Sequence, residues 1–261
     1  MRNLGVLLQK EWRENVRNYK LFWIPVVFII FGIIEPVTNH FLPQIMKSIG
    51  NMPEGTEFVW PELRGEDIFV SLMGQYQMIG MLILILAFMG SIASERKNGT
   101  ATLLYVRPMD FGSYFLSKWI VVNAIMLGSM WAGFLAAWYY IDILFNPVDV
   151  GEVMQFAGTY SLWVVFAVTV VLALSAWLST GGVAGVSILV LIVLPVIDSF
   201  VGMYWTISPL KLATYASYAF QDALVETSAV WLSIGLTVGL IIGLLLIGIF
   251  FAKRNAAKTT V

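Results

Sequence analysis

The chain has 261 residues, of which 59% are hydrophobic and 12% charged. Soluble domains run at about 45–50% apolar and about 25% charged, so a water-soluble globule of this length would leave much apolar surface uncovered. A net charge of −1 supplies no basic field for nucleic acid. The absence of cysteine excludes disulfides and thiolate sites, and a single histidine, His40, excludes a histidine cluster. A bilayer is the solvent that suits this composition, and ten Trp with ten Tyr suit the rings that anchor spans at its interfaces.

In chain order, residues 1–20 come first and pattern as an amphipathic helix. At about 100° per residue, Arg2, Lys10, Arg13, Arg17 and Lys20 share one arc. Leu4, Leu7, Leu8, Trp12, Val16 and Tyr19 lie opposite, interrupted by Glu11 and Asn15. Such a helix is expected to lie in the headgroup plane. Six apolar runs come next, each near the roughly 20 residues that a spanning helix needs. They lie at about 20–42, 69–93, 114–140, 154–178, 183–203 and 229–252. The first opens like a signal peptide but has no small-residue cleavage pattern after it, so it reads as an uncleaved span. Glu35, Pro36 and His40 interrupt its second half. The expectation is an all-α membrane protein, a single six-helix bundle over 1–261 with an interfacial N-terminal helix.

Alternate connections, counted from the N-terminus, hold 12 of the 15 Lys and Arg residues. Positive charge accumulates on the cytoplasmic side, so both termini are expected there, in a multi-pass plasma-membrane protein. The last span carries Gly235, Gly239 and Gly243 on one face, and the third carries Gly128, Ala132 and Ala136. Small faces allow close helix approach, and packing within the chain is preferred here to a subunit interface. Glu35, His40, Gln75, Gln77 and Asp198 are candidate polar residues of a translocation path. The competing reading is that interface water reaches Glu35, His40 and Asp198 near span ends. No Gly-Lys pair exists for a phosphate loop, and one histidine forbids a zinc-protease motif, so no catalytic or metal site is expected in this chain.

The second positive connection is the most specific stretch. Asn98-Gly99 suits a helix end, Thr100 suits the N-cap of a new helix, and Pro108 stops that helix. A short surface helix carrying Leu103 and Leu104 is therefore predicted between the second and third spans, and the competing reading is a plain tight connection between them.

This stretch resembles the signature of permeases of ABC transporters of the second exporter type. Glu95, Gly99, Thr100, Leu104, Pro108 and Lys118 fall at the signature's spacings, while Thr102 stands where the family often has an acid. Six spans, internal termini and an amphipathic N-terminal helix are similar to that family too, and residues 204–228 match its short re-entrant outer helices. The resemblance implies a second permease chain, identical or paralogous, and a separate cytoplasmic ABC ATPase subunit that binds ATP and Mg. It assigns Glu95, Gly99, Thr100, Leu103, Leu104, Pro108 and Lys118 to coupling with that ATPase. Two other classes remain open: an ion-coupled secondary transporter, which would show repeats or broken mid-membrane helices, and a non-transporting scaffold or membrane-embedded enzyme.

Overall fold

A computed structural model describes residues 2–49, 63–98, 110–220 and 227–256. The described residues are helical throughout, with no strand. An N-terminal helix, Arg2–Arg17, turns at Asn18 and Tyr19, whose positive φ of 57° redirects the chain into the first span. Six helices are long and apolar enough to cross a membrane: Lys20–Ile45, Gly65–Lys97, Phe111–Leu144, Val150–Trp177, Thr180–Val201 and Thr227–Asn255. All six apolar runs of the sequence are thus spans, with ends that differ by a few residues. The first does not break at Glu35 and Pro36. Its helix runs on to Ile49 through Pro25, Pro36 and Pro43, each removing one backbone hydrogen bond without ending the helix.

The third and fourth spans form the centre. Phe134 and Phe156 lie with ring centroids 5.3 Å apart, and Phe69 of the second span stands 5.9 Å from Phe156. Trp163 and Tyr160 are fully buried beside them. The outer helices present Phe22, Val26, Ile30 and Ile34 of the first span, and Leu189, Val193 and Phe200 of the fifth, on exposed faces. Water would penalise such rows, whereas acyl chains match them.

The second and fifth spans each carry one π-helical turn, Tyr76–Gly80 and Leu189–Val193. Tyr76 uses the first of these to donate its hydroxyl to the carbonyl of Phe28 at 2.7 Å. After the fifth span, short helices at Pro209–Lys211, Leu212–Ser217 and Tyr218–Phe220 fold back against the fourth. Leu212 and Ala216 are fully buried there, and Phe220 stacks on Phe69 at 5.7 Å. Short helices thus occupy the part of residues 204–228 described up to residue 220.

The small-residue expectation requires correction. A Cβ added at Gly235, Gly239, Gly243 or Gly128 would meet nothing within 4 Å. The sixth span instead packs on the fourth, and its buried residues Ala229, Ser233, Thr237, Ile241 and Ala252 form a row on its other side. The close crossing is made by Gly32 and Gly133. A Cβ at Gly32 would lie 2.2 Å from the carbonyl oxygen of Gly133, and one at Gly133 would lie 2.7 Å from that of Phe28. Two backbones at this distance tolerate only glycine.

Candidate functional site

The N-terminal helix packs across the third span at the end of the bundle where that span begins and the second ends. Leu7, Glu11 and Asn15, one helical turn apart, are buried on its inner side. The sequence places Glu11 and Asn15 as interruptions of an apolar face. In the structure they lie on the contact face, while Trp12 and Tyr19 are exposed.

The reason is an ion cluster. Lys118, 2% exposed, donates to Glu11 Oε1 and to Glu95 Oε1, both at 2.9 Å. Lys10 reaches the same two oxygens at 3.0 and 2.9 Å. Tyr114, one turn before Lys118, donates its hydroxyl to the other oxygen of Glu95. Two ammonium groups and two carboxylates therefore neutralise one another, which is what makes burial of Lys118 and Glu11 tolerable. Burial draws the pKa of Lys10 down, but the adjacent carboxylates of Glu11 and Glu95 more than offset this and hold it above the ordinary lysine range. Glu11, Glu14 and Glu95 bring carboxylate oxygens within 4.8 Å of one another. The lysine ammonium groups already stand between them, so the donor set reads as an ion cluster rather than a metal centre.

The same end of the second span is fastened twice more. The chain leaves regular helix at Met89–Ile92, and Ser175 of the fourth span stitches this turn. Its hydroxyl accepts from Ile92 N and Ala93 N, both at 3.1 Å, and donates to Met89 O at 2.9 Å. Arg96 donates to the carbonyls of Ala176, at 2.8 Å, and Leu178, satisfying the open C-terminus of the fourth span. Asn255 of the sixth span also donates to Ala176 O, at 2.9 Å. On the other side of the connection, Asp110 caps the third span by accepting from Gly112 N at 3.2 Å and Ser113 N at 3.0 Å. The Ser113 hydroxyl and those backbone bonds hold its carboxyl below the usual aspartate range. The end of the second span is thus fastened to the fourth, and Asp110 caps the start of the third.

Of the residues that the motif singles out, Glu95 and Lys118 are brought into direct contact. Gly99, Thr100, Leu103, Leu104 and Pro108 lie outside the described residues. The sequence places Lys10 on the basic arc of the N-terminal helix but does not single out Glu11, Tyr114, Arg96 or Ser175 as site residues. The available signal was Glu11, a charge in an otherwise apolar face, with Lys10 beside it.

The polar candidates within the spans separate. Glu35 is buried, and its carboxylate accepts from Ser71 and Gln75 of the second span and from Asn39 at 3.1 Å. The side-chain amide oxygen of Gln75, Oε1, is buried without a hydrogen-bond partner among the described residues. His40 packs edge-on against Phe41 and Phe145, with centroids at 5.0 and 5.7 Å. Gln77 is half-buried in the π turn. Asp198 is also buried, paired with Lys211 at 3.0 Å and accepting from the Trp205 indole at 2.6 Å. Protein groups contact the carboxylates of both Glu35 and Asp198.

Comparison with known proteins agrees with this architecture. Residues 6–203 match the model of the family described as "ABC-2 family transporter protein". A relative from Bacillus subtilis (strain 168), described as "Uncharacterized transmembrane protein YxlG", is 35% identical over 184 residues, covering 70% of this chain and 71% of its own length. With six apolar spans, a signature-spaced Glu95–Lys118 pair and a family match over residues 6–203, the chain is a multi-pass membrane protein of the ABC-2 transporter family.

Proposed function

We propose that this chain is the permease subunit of an ATP-driven exporter, working beside a second permease chain above separate cytoplasmic ABC ATPase subunits. ATP and Mg belong to those partners, and this chain contributes the path and the mechanical input. The observation that carries the reading is the fastening of the second span's end to the third and fourth spans, through Arg96 and through Glu95 and Lys118 in one ion cluster. A span end fastened in this way transmits a push from below into the second, third and fourth spans together. A loosely tethered loop would absorb the push. Glu35 with Gln75 is the polar pair we place on the cargo route, since a buried carboxylate within a span is a functional candidate by default. We assign Asp198 and Lys211 to holding the re-entrant connection.

The positive-charge bias supports cytoplasmic termini in the plasma membrane. A single cysteine at Asn98 is expected to be shielded from an impermeant thiol reagent in intact cells, and one at Asn146 to be labelled. Labelling at position 98 in unbroken cells would reverse the orientation.

The coupling role is tested by ATP hydrolysis in the reconstituted permease–ATPase complex. Gly99→Val replaces a residue suited to a left-handed helix end by one that resists it, and is expected to abolish transport-coupled hydrolysis. Thr100→Val removes a cap at a cost of about 1 kcal/mol and is expected to weaken it. Both variants should insert and assemble. Full cargo-responsive hydrolysis in Gly99→Val would remove the coupling role from this segment.

A further inference from the structure

A cavity of about 980 Å³ lies between the N-terminal helix and the end of the second span. It falls at the top of the range of about 300–1,000 Å³ that small-ligand sites occupy. Its charged lining consists of three lysines, Lys10, Lys20 and Lys118, and three glutamates, Glu11, Glu14 and Glu95. Four of these are consumed by the ion cluster described above, and the remaining two differ in kind.

Lys20 donates to the Ala87 carbonyl and stands 4.8 Å from the Phe88 ring, with no carboxylate within 4.0 Å among the described residues. Among the described residues, the ion-pair contact of Glu14 is Lys10 at 3.6 Å, which Glu11 and Glu95 share, and its side chain is 46% exposed. The cavity therefore presents one ammonium with no carboxylate in contact, acted on by Glu14 and Glu11 only through space, and one carboxylate whose ion-pair contact is long and shared. Ser91, Ser94 and Thr180 add hydroxyl groups to the same walls. At the rim, Val6 and Leu86 are 66% and 55% exposed, so hydrocarbon covers the entrance more favourably than water.

From this arrangement we propose that the cavity holds the headgroup of a zwitterionic phospholipid of the phosphoethanolamine class, its phosphate on Lys20 and its primary ammonium on Glu14. The acyl chains run out over Val6 and Leu86. The assignment rests on membrane insertion alone and not on the exporter reading. Phosphoglycerol lipids share the phosphate but lack the ammonium. Phosphocholine lipids carry a quaternary ammonium with no N–H to donate to a carboxylate.

The test is thermal unfolding of the purified full chain in detergent, with equal mole fractions of phosphatidylethanolamine, phosphatidylglycerol or phosphatidylcholine of the same acyl composition. Phosphatidylethanolamine is expected to raise Tm by about 5 °C at saturation, phosphatidylglycerol by less, and phosphatidylcholine least. Lys20→Met should remove the response to the first two lipids, and Lys20→Arg should keep it. Glu14→Gln should reduce the phosphatidylethanolamine response to the phosphatidylglycerol level. It provides a second arm should Lys20→Met fail to fold. Equal responses to the three lipids, or an undiminished phosphatidylethanolamine response in Lys20→Met or Glu14→Gln, would overturn the site. An equal shift with soluble phosphoethanolamine would overturn the lipid as its source.

Discussion

Lys118→Met is expected to destabilise the folded chain by about 3–5 kcal/mol, because it leaves Glu11 and Glu95 buried with Lys10 alone to neutralise both. The measurement is unfolding in detergent against wild type. Adding Glu11→Gln restores neutrality, since Lys10 and Glu95 still pair at 2.9 Å. The double variant should therefore be more stable than the sum of the single variants predicts, by about 1–3 kcal/mol. Additive effects would mean that the four groups do not act as one cluster. The folded-state pKa of Lys10 lies above its unfolded value of about 10.4. Its contribution is therefore fully present below that pH and is lost only as pH rises through the folded value, so neutral conditions report it whole.

Gly133→Val is expected to be as severe, for a steric rather than an electrostatic reason. The added Cβ would meet the Tyr76 hydroxyl oxygen at 2.0 Å and the Phe28 carbonyl oxygen at 2.7 Å. Backbone cannot rotate aside as a side chain can, so the first and third spans must separate. The loss should reach about 3 kcal/mol or more, the upper end for overpacked sites. Gly239→Leu, in open space on the sixth span, should leave stability in detergent unchanged or slightly raised through better helix propensity. Equal losses in the two variants would show that the Gly32–Gly133 crossing is not where these helices depend on glycine. Tyr76→Phe, which removes the hydroxyl bonded to Phe28 O, should fall between them.

What the sequence determined by itself is what depends on averages along the chain. Six spans emerge from hydropathy summed over about twenty residues, and one proline or glutamate within that window, as at Glu35-Pro36, does not change the sum. The amphipathic N-terminal helix comes from periodicity, and the Glu95-to-Lys118 spacing marks the family because it is also a local pattern. The tertiary structure decided everything that depends on which face of a helix meets which neighbour. Gly235, Gly239 and Gly243 form as regular a stripe as any, yet Ser233, Thr237 and Ile241 of the same helix are buried instead. Periodicity identifies a face without saying what lies opposite it. Glu11 reads as a flaw in an apolar face until Lys118, 107 positions away, is placed against it. A buried charge is stabilised by the particular counter-charge that folding brings within about 3 Å, and that pairing exists only in three dimensions.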